Sequence, residues 1–126
     1  MTEALYLRDL IAESIQGEGF QVYPNEAPAG AVYPYAVFEV STLTGDELPK
    51  GGILEVNAWD RYATHSRADA VLDAIEEKLK NNYFKSDAVA FRCFNGDRAH
   101  IPDEDKEIKR SRERFTIRYN KRGEQG

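Results

Sequence analysis

The sequence predicts an α+β domain, an antiparallel sheet of four to five strands (mixed pairing allowed) with two helices packed on one face. Three observations carry that expectation. Residues 2–16 and 65–80 repeat apolar positions at helical spacing. Residues 35–41, 53–60, 87–95 and 112–119 alternate apolar and polar side chains, as half-buried strands do. The order helix, strands, helix, strands lacks the regular strand–helix alternation of a parallel sheet.

The helix over 2–16 has Leu7, Leu10, Ile11, Ser14 and Ile15 on one face and Arg8, Asp9 and Glu13 on the other. Thr2 is its expected cap, and Gly17 and Gly19 its stop. Residues 18–34 then repeat Val-Tyr-Pro around NEAPAG, in VYPNEAPAGAVYPYAVFEV. Each proline fixes its own φ and pushes its predecessor toward extended geometry. An edge strand at 20–23, a loop and a strand starting after Pro34 are expected. In that strand Ala36, Phe38 and Val40 share one face, and Tyr35, Val37, Glu39 and Ser41 the other.

TLTGDELPKGG, residues 42–52, reads as a flexible loop. The strand at 53–60 buries Leu54, Val56 and Ala58, and one loop suffices to pair it antiparallel with its predecessor. The helix over 65–80 carries the stripe Ala68, Val71, Leu72, Ile75 and Leu79. Thr64 or Ser66 is its expected cap, Glu76 and Lys80 an i,i+4 pair, and Asn81-Asn82 its end. The strand at 87–95 has Val89, Phe91 and Cys93 inward and is expected to turn at Asn95-Gly96. Residues 102–111 are charge-dense. The last strand, 112–119, has Phe115, Ile117 and Tyr119 inward, with Arg112, Arg114, Thr116 and Arg118 outward. Residues 121–126 are a polar tail.

A chain of 126 residues suits one domain, 1–126, and can bury roughly two-thirds of its unfolded surface. The single cysteine, Cys93, excludes an intramolecular disulfide and argues against a secreted, disulfide-framed domain. The start, MTEALYLRDLIAES, has no signal-peptide pattern, and no stretch approaches the ~20 apolar residues of a membrane span. A reducing, intracellular setting without a membrane is expected. Net charge is −5, yet residues 106–122 hold eight basic and two acidic residues. Such a dipole can orient the chain against a partner or another copy of itself.

Catalytic signatures are absent: no G-x-S-x-G, no P-loop and no H-E-x-x-H. GDELPKGG has the wrong spacing for phosphate binding. His65 reads as an exposed first-turn residue. His100 with Asp97, Asp103 and Asp105 reads as a solvated acidic loop rather than a metal site. Cys93 reads as a buried small hydrophobe; Trp59 has the chemistry of an interface anchor, with core packing the preferred reading. No enzyme activity, cofactor or metal is expected. The basic row Arg112, Arg114 and Arg118 fits a solvated sheet face, a nucleic-acid backbone contact or an acidic neighbouring subunit. Tyr23, Tyr33, Tyr35 and Tyr62 have the chemistry of interface anchors.

The order of words resembles small tailed-phage tail-completion or tail-terminator proteins. The resemblance spans residues 5–120 and rests on VYPNEAPAGAVYPYAVFEV followed by LEVNAWDRYATHSRADAVLDAIEEKL. It implies a structural protein that caps the tail tube as a ring, ends tail polymerisation and provides the head–tail joining surface. The implied partners are itself, as a hexamer, the tail tube protein and the head connector. DNA would be met only as the genome passing the lumen. The implied location is the tail end of a virion, and the host cytoplasm during assembly. In this setting Tyr23, Tyr33, Tyr35, Arg112, Arg114 and Arg118 are candidates for the subunit interface. Asp46, Glu47 and Lys50 are candidates for a docking loop to tail or connector. The alternatives are another head–tail connector or neck adaptor, and a small nucleic-acid-binding module using 106–122.

Overall fold

The computed structural model describes residues 3–17, 19–42, 50–80, 82–94 and 96–121. Its elements are α1 (Glu3–Ile15), β1 (Gln21–Pro24), β2 (Tyr35–Thr42), β3 (Lys50–Arg61), α2 (Ser66–Leu79), β4 (Tyr83–Lys85), β5 (Val89–Phe94), β6 (Arg98–Ile101) and β7 (Ile108–Lys121). The strands form one sheet in the order β1-β2-β3-β7-β5-β4, with β6 also on β7. The α+β class holds. The strand number is corrected from four or five to seven, and the pairing is mixed.

The parallel pair is β1 with β2, in the register Gln21–Tyr35 to Pro24–Phe38. Residues 25–34 carry the chain back to the same end of the sheet. Asn25 opens this return at φ 68°, and its N–H donates to the Phe38 carbonyl (2.9 Å). Pro24 closes the outermost strand, where a missing N–H costs no ladder bond. Pro34 stands just before β2. The repeated Val-Tyr-Pro thus brackets the loop between two parallel strands.

The expected loop 42–52 is shorter at both ends. Thr42 closes β2, and Lys50, Gly51 and Gly52 pair with Tyr119, Arg118 and Ile117 of β7. A Cβ on Gly52 would meet the Ser41 carbonyl at 2.8 Å, so this glycine serves strand approach rather than looseness.

β5 does not turn back at Gly96. Phe94 pairs with Thr116 of β7, and Arg98 pairs with Glu113 of the same strand. The chain continues along one edge of β7 with one residue inserted, which is the offset of a β-bulge. Asn95 lies outside the described residues. The bulge reverses side-chain parity, so Arg98 and His100 of β6 face the helices. β7 also begins four residues earlier than expected, because Ile108–Ser111 pair with β3 and β6.

α2 buries Ala68, Val71, Leu72, Ile75 and Leu79, the expected stripe. Its N-cap is His65, without a side-chain cap bond; the Ser66 N–H is instead met by Thr64 Oγ1 at 3.3 Å. The Glu76 side chain forms no ion pair with Lys80 and turns to Arg98. The expected terminator Asn81 lies outside the described residues, as does Thr2; Asn82 donates to the Lys78 carbonyl. α1 adds Leu7, Leu10, Ile11 and Ile15. Together these residues meet Phe38, Leu54, Val56, Phe91, Phe115 and Ile117 in one core. Among the described residues no helix is long and apolar enough to cross a membrane.

Candidate functional site: the open face of the sheet

Side chains alternate across a sheet, so burying Phe38, Val56 and Phe115 under the helices sends Val37, Asn57, Glu55 and Arg114 to the other face. Neither helix lies over that face. Its first feature is a continuous stack of rings and guanidinium groups. Arg61 sits 6.0 Å from the Tyr33 ring centroid, and Tyr33 and Tyr35 are 5.4 Å apart. Tyr35 stacks on Trp59 at 5.6 Å, and Arg110 covers the far side of Trp59 at 5.2 Å. Tyr23 meets Tyr35 edge-on at 6.1 Å. Register builds this ridge, since Tyr35, Trp59 and Arg110 occupy one cross-strand row. Burial first, then Tyr33 and Tyr23, push the Tyr35 phenol above its ordinary pKa.

The second feature is a polar lattice beside the ridge. Arg110 Nε donates to Asn57 Oδ1 (2.9 Å), and Asn57 Nδ2 donates to Glu55 Oε2 (3.2 Å). Arg114 Nε donates to Glu55 Oε1 (2.9 Å). Burial opposes ionisation of Glu55, but the Arg114 and Asn57 hydrogen bonds outweigh it and hold this carboxyl below its ordinary pKa. A shallow depression of about 310 Å³ opens here between Glu39, Ser41, Ile53, Glu55 and Arg114. Arg112 Nε is enclosed yet has no hydrogen-bond partner among the described residues. Arg118 is exposed, and Arg92 lies 5.7 Å from the Tyr83 ring.

The structure therefore brings Tyr23, Tyr33, Tyr35, Arg112, Arg114 and Arg118 onto or beside one face. Tyr62 lies apart, under Arg67 at 4.8 Å. Trp59 is corrected from core to ridge: its neighbours Leu54, Val56 and Ala58 share the opposite parity and fill the core. Asp46 and Glu47 lie outside the described residues. The Lys50 backbone belongs to β3 rather than to a loop, and its side chain lies outside the description. Glu55, Asn57 and Arg110 were not singled out from the sequence. Their shared parity with Trp59 was visible there, but their cross-strand partners depend on register.

A second polar group lies on the helix side. Arg98 Nη1 donates to Asp73 Oδ1 (2.7 Å), and its Nε donates to Glu113 Oε1 (2.8 Å). Glu76 Oε2 is 3.6 Å from Arg98. His100 and His65 stack at 3.9 Å, and Asp69 binds both His100 Nε2 (2.9 Å) and Ser111 Oγ (2.7 Å). His65 and His100 were expected as separate exposed residues; β6 and the start of α2 join them. Burial first, then His100, lower the His65 pKa. Ser111 Oγ donates to Asp69 rather than to the imidazole. Among the described residues no group of three metal-ligating side chains forms. Cys93 is buried as expected, and burial first, then Glu113, push its thiol up to about 12.

The fold is similar to that of a chain in the virion of a native gene transfer agent particle. The TM-score is 0.55 at 16% identity, covering 92% of this chain and 91% of that one. At this identity the likeness concerns the fold. No protein-family model and no curated protein matches the sequence.

Proposed function

We propose that this chain is a structural protein of a phage-like particle which caps the tail tube as a ring, ends tube polymerisation and offers the head–tail joining surface. The observation that supports this reading most is the shared fold with a virion chain over nearly the full length of both. The open sheet face supports it further, because stacked aromatics with arginines are the composition of contact surfaces. The proposed partners are other copies of the chain, as a hexamer, the tail tube protein and the head connector, with DNA only as the genome passing the lumen. The proposed location is the tail end of the virion, and the host cytoplasm during assembly. No catalytic step is part of this reading.

Solution mass by light scattering, with and without purified tail tubes, tests the reading, together with negative-stain images of the products. The expected result is a six-fold ring, free or at tube ends, and tubes that no longer lengthen. A chain that neither forms rings nor binds tubes overturns it. Tyr33→Ala with Tyr35→Ala is expected to leave the circular dichroism spectrum unchanged while ring formation or tube binding is lost. Unchanged assembly in that variant would remove the ridge from the contact surface.

A further inference from the structure

We propose that the open sheet face docks on the helix layer of a second copy of this chain, through opposite charge. This deepens the capping reading and rests on it. The two sides of the molecule differ in sign. On the open face the outward residues of β5 and β7 include Arg92, Arg110, Arg112, Arg114 and Arg118, against Glu39 and Glu55 from β2 and β3. On the helix side α1 exposes Glu13 and Asp9, the latter paired with Arg8, and α2 exposes Asp73 and Glu77 against the cations Arg67 and Lys80, with Asp73 still 67% accessible despite its bond to Arg98.

The cations differ in how far they are already committed. Arg110 is bound to Asn57 and Trp59, and Arg114 to Glu55. Arg118 has no partner among the described residues, and Arg112 has an enclosed Nε without an acceptor. Arg112 also lies close enough to Glu55 to help hold that carboxyl ionised, so Arg118 is the group left to answer an acidic surface. On the other side Glu13 and Glu77 are exposed and take part in no ion pair among the described residues. Exposed, unpaired carboxylates on both helices facing the free guanidinium of Arg118 give an attraction that also sets orientation.

The aromatic ridge favours a protein partner over bases of a nucleic acid. Its ring faces are already occupied by one another, and Arg61 and Arg110 lie over the Tyr33 and Trp59 rings at its two ends. A base needs a free ring face for stacking. What remains outward is the edge of the ridge, with its phenol groups, which suits packing against a helix layer. Because the open face and the helix layer are different surfaces, the contact is head to tail, the kind that closes into rings or runs into filaments.

A charge-swap experiment tests this. Arg118→Glu and the double change Glu13→Lys with Glu77→Lys are each expected to fold normally, since all three positions are exposed. In sedimentation at low salt, each variant alone should self-associate less than the natural chain, by roughly tenfold or more. Mixing the two variants should restore association. Failure of the mixture to associate, with both partners folded, overturns the docking mode. So does a natural chain that remains monomeric at low salt up to its solubility limit, whereas tube binding by that monomer would leave the capping reading standing. Duplex DNA bound by the natural chain and lost in Arg118→Glu would assign the face to nucleic acid instead.

Discussion

Gly96→Ala is expected to destabilise the domain by about 4 kcal/mol or more, or to prevent folding. A Cβ at this position would stand 1.2 Å from the Arg114 carbonyl oxygen and 2.3 Å from its carbon. Both are backbone atoms of the central strand β7, which is held by β3 along one edge and by β5 and β6 along the other. No rotamer change can relieve the overlap, so the ladder itself must open. The neighbouring bond from the Arg114 N–H to the Asp97 carbonyl (2.9 Å) would go with it. Gly30→Ala is the suitable control. Gly30 holds φ 84° with nothing within 4 Å of a Cβ, so it carries conformational strain without a clash. Its expected cost is about 1 kcal/mol. Urea unfolding of both variants decides the matter; equal midpoints would show that the close approach at Gly96 does not support the sheet.

That glycine also explains where sequence reading stopped. Asn95-Gly96 is a strong turn signal, and a turn was the natural expectation. The same glycine instead permits a bulge, because it is the backbone of β7 and not a change of direction that it accommodates. Read without the inserted residue, the strand pattern would continue with Ala99 and Ile101 inward. The bulge puts Arg98 and His100 there, beside Asp73 and Asp69 of α2. Four separate polar residues thus become two local networks through one residue of offset.

The elements with enough residues to show a period were legible. The α2 stripe appears as expected, and so do Leu54, Val56 and Ala58 of β3 and Phe115, Ile117 and Tyr119 of β7. β4 and β6 have three and four residues, too few for alternation to separate from chance. Of the open face, composition identified the tyrosines and arginines as contact chemistry. The alternation that buries Leu54, Val56 and Ala58 already put Trp59 on the opposite face, but the preference of a large ring for the core outweighed that parity. Neither composition nor alternation could show that Glu55 and Asn57 already occupy Arg114 and Arg110. That pairing decides which arginines remain for a partner, and it comes only from the register of three strands.

Arg98→Met is expected to cost about 3 kcal/mol above neutral pH, with the loss shrinking as the solution is made acidic. Arg98 joins Glu113, Asp73 and Glu76, and Glu113 is 2% accessible. Burial raises the Glu113 carboxyl, Arg98 works against that shift, and Glu76 adds to it; the result is about 7. Burial outweighs the guanidinium because the carboxylate loses nearly all its water, whereas Arg98 is shared among three acids. The sign follows from proton counts. Between the ordinary value of 4.5 and about 7 the folded chain holds this proton more tightly than the unfolded chain. The Glu113 contribution to stability therefore falls as pH rises through that window and is level above it. Methionine keeps the aliphatic stem in place and removes the positive charge, so the Glu113 value should rise further and the penalty should extend to higher pH. The double variant Arg98→Met with Glu113→Gln should recover most of the loss at about pH 8 and show a much flatter profile between about pH 5 and pH 8. Urea unfolding at these two pH values for the four members of the cycle is sufficient. If Arg98→Met costs as much at the acidic pH as at the alkaline one, Glu113 is not the group that the arginine stabilises, and its loss acts through the Asp73 and Glu76 contacts and the packing of β6 on α2.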